Sequence, residues 1–287
     1  MGKVDLHTHT TASDGTGSPS SNVQLAKAAG LSAIAITDHD TMAGVEEALA
    51  EGERIGITVV PGVELSTVAD GQDIHVLGYY ANWRDELWQQ RLTGLRSVRD
   101  IRNALIVAKL VELGIDITLS EVEKVALEHS GGALSEKTVG RPHIAELLVR
   151  KGAVSNMREA FDRYLASGSA AYVNPPRVNP YEAINWIKEA GGVSVLAHPG
   201  LYGNDELVEQ LIRSGGVQGI EVYHSDHGPQ EEARYLRLAE QYSLIITGGS
   251  DYHGEREGKV FHGAIGSRTV DVGVLKQMKS GLSNVNS

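Results

Sequence analysis

Apolar and polar positions follow two different rhythms along this 287-residue chain. Ser18-Pro19, followed by Val23, Leu25, Ala26 and Ala29 and then Gly30, reads as a helix with a serine cap, a first-turn proline, an apolar face and a glycine stop. Residues 32–37 form a short apolar run, a buried strand that ends at Asp38-His39-Asp40. A helix is expected from about 42 to 55, then strands near 57–60, 63–66 and 74–79. From about 83 to 165 the pattern becomes helical, through Leu95, Ile101, Leu105 and Leu113, with no strong strand signal. Pro175-Pro176 and Pro180 mark the return of alternation, with helices at 181–190, 205–214 and 229–242 and strands at 193–197, 219–223 and 244–247. Such alternation predicts a mainly parallel sheet with helices on its faces. The expected organisation is an α/β core built from residues 1–82 and 170–287, split by a helical insertion at 83–169. The polar tail at 283–287 is expected to fray.

Length and composition narrow the chemistry. A chain of this size buries enough apolar surface to fold without staples, so metals would serve catalysis and not stability. The absence of cysteine removes disulfides, thiolate metal sites and cysteine nucleophiles together. Any metal must then be held by imidazole and carboxylate, ligands suited to manganese, iron or zinc. Met1-Gly2-Lys3-Val4 runs straight into Asp5 and His7, and no later stretch approaches the roughly 18 apolar residues of a membrane span, so a cytoplasmic protein is expected. A net charge of −11 argues against long duplex nucleic acid as a partner. It leaves room for a small cationic pocket and an anionic substrate. Nothing in the sequence points to a protein partner.

The candidate chemistry lies at strand ends, where barrel enzymes place their active sites. His7 and His9, two apart, point to one face of a strand and could grip one cation, although an isolated pair also reads as a solvated strand end. Asp14, in Ser13-Asp14-Gly15, would alone be a turn aspartate. His39 sits between Asp38 and Asp40, either of which could instead cap a helix. Glu64 is a carboxylate between two apolar residues, His75 heads a strand, His198 follows Val195-Leu196-Ala197, and Asp251 and His253 follow Thr247-Gly248-Gly249-Ser250. Each is weak by itself. Six histidines and three carboxylates over six strand ends provide ligands for more than one metal.

These motifs, in this order, resemble the polymerase and histidinol phosphatase (PHP) superfamily: Asp5-Leu6-His7-Thr8-His9, Thr37-Asp38-His39-Asp40, Gly62-Val63-Glu64, His75, Ala197-His198-Pro199-Gly200 and Ser250-Asp251-Tyr252-His253. The resemblance implies a distorted (β/α)7 barrel with a trinuclear site. By it, His7, His9, Glu64 and Asp251 hold one metal, Glu64 bridges to a second completed by His75 and His198, and Asp14, His39 and His253 hold a third. Two or three divalent ions are implied, with manganese the first choice and iron or zinc the alternatives. None of these positions departs from the pattern, which implies catalytic competence.

The insertion, with Gly140-Arg141-Pro142-His143, and Gly191-Gly192-Val193 before Ala-His-Pro-Gly resemble the bacterial branch that hydrolyses the 3′-phosphate of nucleoside 3′,5′-bisphosphates. Related enzymes trim short 5′-phosphorylated oligonucleotides. That resemblance makes Arg141 and His143 substrate-phosphate contacts, although Arg141 beside a helix-opening Pro142 would also read as merely exposed. His224 is a candidate phosphate contact or general acid, His227 a rim residue, and Tyr79, Tyr80 and Tyr223 candidates for stacking on a base; His129 and His262 read as ordinary surface histidines. Competing expectations are a histidinol-phosphate phosphatase on the same barrel, an amidohydrolase, and a non-catalytic module that binds a polymerase or nucleotide.

Overall fold

The computed structural model describes residues 2–129, 138–256 and 258–283; the tail at 284–287 lies outside them. Seven strands form the barrel wall: β1 (Lys3–Asp5), β2 (Ala33–Ile36), β3 (Thr58–Ala69), β4 (Gln72–Tyr79), β5 (Val193–Leu196), β6 (Gly219–His224) and β7 (Ile245–Gly249). They are hydrogen-bonded in that order. A hairpin of β8 (Glu255–Arg256) and β9 (Lys259–Val260) follows, and β10 (Val270–Asp271) pairs antiparallel with β1 as an eighth strand of the sheet. The wall closes where the backbone beyond β1 meets that of β7: Leu6 N donates to Gly248 O at 3.1 Å, Asp251 N to His7 O at 2.8 Å and His9 N to Tyr252 O at 2.8 Å. Gly249 makes this approach feasible. A Cβ there would lie 2.3 Å from Cβ of His7.

The PHP-type barrel expected from the motifs is observed, with one departure from mainly parallel pairing. β4 runs antiparallel to both β3 and β5. The cause is local: β3 and β4 are joined by only Asp70-Gly71, both at positive φ (49° and 77°), the conformation that closes a tight hairpin. The two strands expected at 57–60 and 63–66 are one. Its first part pairs with β2 as far as Pro61 and its second part with β4 from Gly62 onward, so the break in the pattern marks a change of partner.

Helices cover the wall. Ser18 caps α1 (Pro19–Ala28), its side chain accepting the Ser21 N–H at 3.1 Å, and left-handed Gly56 ends α2 (Val45–Ile55). These two helices pack through Val23, Ala26 and Ala48 on Ile34, Ile36 and Val59. The long α3 (Glu86–Glu112) seats Trp88, Leu92 and Leu95 in the barrel core and then leaves it. Its later turns, with Ile106, Val107 and Leu110, join α4 (Leu119–His129), α5 (Arg141–Arg150) and α6 (Met157–Ala160) in a second core. A π-turn at Phe161–Leu165 follows α6. α7 (Pro180–Glu189), α8 (Asp205–Gly215) and α9 (Pro229–Gln241) cover the second half of the sheet, and α10 (Val274–Ser283) packs on Val4, Leu6 and Val193. Among the described residues, no helix is long and apolar enough to cross a membrane.

Candidate active site

The reversal of β4 explains how His75, at the start of a strand, joins residues at the ends of others. Running the opposite way, β4 begins at the rim where its neighbours finish. There its Nδ1 lies 2.9 Å from Glu64 Oε1, as does Nε2 of His198, while His39 Nδ1 lies 3.0 Å from Glu64 Oε2. On the other side, Nε2 of His9 is 3.2 Å from Glu64 Oε2 and 3.1 Å from Asp251 Oδ1, and Nε2 of His7 is 3.4 and 3.3 Å from the same two atoms. A third grouping has Asp14 at its centre, 3.3 Å from His253 Nε2, 3.8 Å from His39 Nε2 and 3.9 Å from His9 Nδ1. The structure thus brings together all nine residues read from the sequence as ligands. Glu64 lies between two of the groupings.

The donor atoms of His7, His9, Glu64 and Asp251 lie within 4.8 Å of one another, as do those of His39, Glu64 and His75, and those of His9, Asp14, His39 and His253. His7 Nε2, His9 Nε2, His39 Nδ1 and Asp251 Oδ1 are buried without a hydrogen bond. Burial alone would raise the Glu64 carboxyl, but His75, His39 and His7 outweigh it and hold the group well below its ordinary range. Asp251 behaves alike, with burial outweighed by His7, His262 and His253. Converging anionic oxygens and unpaired imidazole nitrogens in a buried site are the donor chemistry of divalent first-row metals. His198 (φ 23°) and Asp251 (φ 52°) are held in the left-handed region, strain of the kind that collects at functional sites.

A layer behind the ligands fixes their orientation. Glu221, fully buried on β6, places its oxygens 3.1 and 3.2 Å from Nδ1 of His7 and accepts the His198 N–H at 2.8 Å. Asp38 accepts from Thr10 N, Thr10 Oγ1 and Ser13 Oγ at 2.6–2.7 Å, which braces the loop carrying Asp14. Asp40 pairs with Arg99 and accepts the Ser66 N–H. Glu221 is a residue that sequence reasoning missed. The signal was there, an acid between Ile220 and Val222 on a strand, as Glu64 lies between Val63 and Leu65.

The residues expected around substrate need correction. His143 is fully buried, its Nδ1 accepting the Gly140 N–H at 3.0 Å at the start of α5, and it does not line the cavity. His224 is also fully buried, 3.2 Å from Asp251 Oδ2, with Nδ1 taking the Asp226 N–H; it backs a ligand and does not face substrate space. His227, expected at the rim, is buried and accepts the Gly200 N–H at 3.1 Å, bracing the Ala-His-Pro-Gly turn. Tyr79 is no stacking platform: it is buried and donates its hydroxyl hydrogen to Leu6 O. Tyr80 and Tyr223 do not line the cavity either. His262, read as an ordinary surface residue, does line it, with Nδ1 2.6 Å from Asp226 Oδ2 and Nε2 3.6 Å from Asp251 Oδ2.

The cavity itself measures about 410 Å³ and opens over the ligand groupings. Its lining includes Asp14, His39, Glu64, His75, His198, Asp251 and His253. Arg99, Arg102 and Arg141 line it too, a local cationic surface in a chain of net charge −11. Arg141 reaches Asp73 at 2.8 Å. Apolar lining comes from Leu201 and from Phe161 and Phe261, the chain's two phenylalanines, with ring centroids 6.4 Å apart.

The family model of the PHP domain matches residues 5–242. The chain belongs to the PHP domain family. Among its PHP relatives, the 5′-3′ exoribonuclease of Haemophilus influenzae is 35% identical over 257 residues, 88% of this chain and 90% of that one. The 3′,5′-nucleoside bisphosphate phosphatase of Chromobacterium violaceum is 32% identical over 262 residues, 90% of each chain. A phosphoribosyl 1,2-cyclic phosphate 1,2-diphosphodiesterase of Eggerthella lenta is 32% identical over 260 residues, 90% of this chain and 96% of that one. A solved structure from Bifidobacterium adolescentis, assigned provisionally as a metal-dependent phosphoesterase, superposes with a TM-score of 0.85 at 32% identity, covering 96% of this chain and 95% of that one. Family, barrel and relatives agree on a metal-dependent phosphoric ester hydrolase, which sets aside the non-catalytic reading.

Proposed function

We propose that the chain hydrolyses the 3′-phosphate of nucleoside 3′,5′-bisphosphates, giving a 5′-nucleotide and phosphate, and also trims short 5′-phosphorylated oligonucleotides. The observation that carries this reading is that three chemically distinct sets of side chains line one cavity. The ligand-rich set suits the scissile phosphate, the arginine set a second phosphate, and the phenylalanine set a base. The names of the Haemophilus and Chromobacterium relatives support it, since both act on phosphorylated nucleosides or their polymers.

The unpaired imidazole nitrogens and the two depressed carboxylates fit divalent ions. His7, His9, Glu64 and Asp251 would hold one, Glu64 with His75 and His198 a second, and Asp14, His39 and His253 a third, with manganese favoured over iron or zinc. Bound there, such ions would neutralise the ester and supply a nucleophile at neutral pH. The chain's own residues do the rest. Glu221 fixes the His7 ring, as second-layer carboxylates commonly do. Arg141 reaches into the cavity as a phosphate contact, steadied by Asp73. With His224 behind Asp251, protonation of the leaving 3′-oxygen falls to Nε2 of His262, oriented by Asp226. Phe161 and Phe261 supply an apolar surface beside His253 and His262.

Histidinol phosphate fits less well, because its ammonium group would face three guanidinium groups. The test is phosphate release from adenosine 3′,5′-bisphosphate by manganese-loaded protein, compared with histidinol phosphate, with chelated and His198→Ala controls. Formation of 5′-AMP, lost in both controls, is expected. Faster turnover of histidinol phosphate would overturn the reading.

A further inference from the structure

Arg99 and Arg102 lie three residues apart on α3 and both face the cavity, yet their circumstances differ. Arg99 is satisfied by Asp40 and Ser66. Arg102 is 3% exposed, and its Nε and Nη2 have no hydrogen-bond partner among the described residues. The nearby carboxylate is already used: one oxygen of Asp73 takes Arg141 and the other Arg177. Arg177 itself keeps Nε and Nη1 buried and unpartnered. Arg99, Arg102, Arg141 and Arg177 therefore share two carboxylates, Asp40 and Asp73. Burial, then the charges of Arg141 and Arg99, push the Arg102 guanidinium well below its ordinary pKa. A buried, unpaired guanidinium is costly, and the fork it presents matches a phosphate.

We propose that Arg102 is the specificity-determining residue of a second anion subsite in this cavity, one that takes the phosphate the enzyme does not hydrolyse. The inference rests on the reading of the cavity as a nucleotide site and assigns the 5′-phosphate to the arginine lining. Arg102 approaches that phosphate from the buried side and Arg141 from the mouth, while Asp73 holds Arg141 in place without neutralising Arg102. The subsite also explains why an unpaired charge is kept in the fold: its partner arrives with the substrate. In the absence of ligand, an apolar side chain of similar volume would be tolerated at 102 at least as well as arginine.

The experiment is calorimetric titration of manganese-loaded full-length protein with 5′-AMP and with adenosine, for wild type, Arg102→Met and Arg102→Lys, alongside thermal melts with and without 5′-AMP. Wild type should bind 5′-AMP far more tightly than adenosine. Arg102→Met should weaken 5′-AMP binding by roughly thirtyfold or more, leave adenosine binding unchanged, and melt without ligand no lower than wild type. Arg102→Lys keeps a charge but not the fork and should lose a smaller factor, which preserves the test if the methionine variant folds poorly. Undiminished 5′-AMP affinity in a folded variant would overturn the subsite. Failure of the bisphosphate reading would look different: 5′-AMP binding would still depend on Arg102, while wild type released no phosphate from adenosine 3′,5′-bisphosphate.

Discussion

Glu221 holds His7 by both carboxylate oxygens, at 3.1 and 3.2 Å from Nδ1, and with the same side chain takes the backbone N–H of His198 at 2.8 Å. One acid on β6 thereby sets the direction of an imidazole just beyond the first strand and the placement of another beyond the fifth. Glu221 is fully buried, and its carboxyl, which burial would raise, is held low by His7. Glu221→Gln keeps the shape but removes the charge. Metal affinity should fall by about 10- to 100-fold, the usual cost of losing such a partner. Metal content after dialysis against a graded chelator would show it, and full retention would place the orientation of His7 elsewhere.

Closure of the barrel makes Gly249 equally specific. A methyl group there would lie 2.3 Å from His7 Cβ and 2.4 Å from His7 N, and the His7 backbone is pinned by its hydrogen bond from Asp251 N. Gly249→Ala must push the two strand ends apart, at a cost of about 1–3 kcal/mol. A lowered melting temperature together with reduced metal content is the expected result. Unchanged values in both would mean that the barrel seam is looser than these contacts imply.

Much of this was legible from residue order. That the nine candidate ligands meet follows from where histidines and acids interrupt apolar strands, because a barrel gathers its strand ends at one rim. The reversal of β4 was not read, although Asp70-Gly71 between two apolar runs is a hairpin signal. The supporting layer escaped for a different reason. Glu221 and His227 act through contacts with residues more than twenty positions away, and no local pattern separates them from ligands or rim residues. His143 and His224 have the right residue type in the right motif, but their rings face the protein interior. His262 lies on a left-handed turn (φ 61°) after the β8–β9 hairpin, and only the folded chain brings it back over Asp251.

Asp73 is the counter-charge of the arginine lining, and its removal separates stability from binding. Burial would raise its carboxyl, but Arg141 and Arg177 outweigh that and hold it far below the ordinary range. A depressed carboxyl stabilises the fold above its unfolded pKa, near 3.9, and loses that contribution as pH falls through the folded value. Asp73→Asn should therefore be less stable than wild type at neutral pH, by about 1–3 kcal/mol for a part-buried pair broken on one side. The gap should narrow below about pH 4. Denaturant melts at pH 7 and about pH 2.5 measure both quantities, and equal stability at pH 7 would show that the guanidinium groups do not need this acid to fold.

The phenylalanine lining gives the sharpest separation of base recognition from chemistry. Phe161 sits in the π-turn that ends the insertion and Phe261 follows the β8–β9 hairpin, so two distant segments supply one apolar surface. Phe261 meets His253 and His262 edge-on, at centroid distances of 6.2 and 4.6 Å. Phe161 meets the ring of Phe261 and packs on the core of the insertion, and among the described residues no imidazole ring stacks on it, so it is the cleaner site for substitution. Loss of one base–aromatic stack costs about 1–3 kcal/mol, roughly 5- to 150-fold in affinity. Phe161→Ala should raise KM for adenosine 3′,5′-bisphosphate within that range while changing kcat little, and should leave KM for ribose 3,5-bisphosphate, which lacks a base, near its wild-type value. An equal rise in KM for both compounds would instead make Phe161 a part of the cavity's framework, with the base lodged elsewhere.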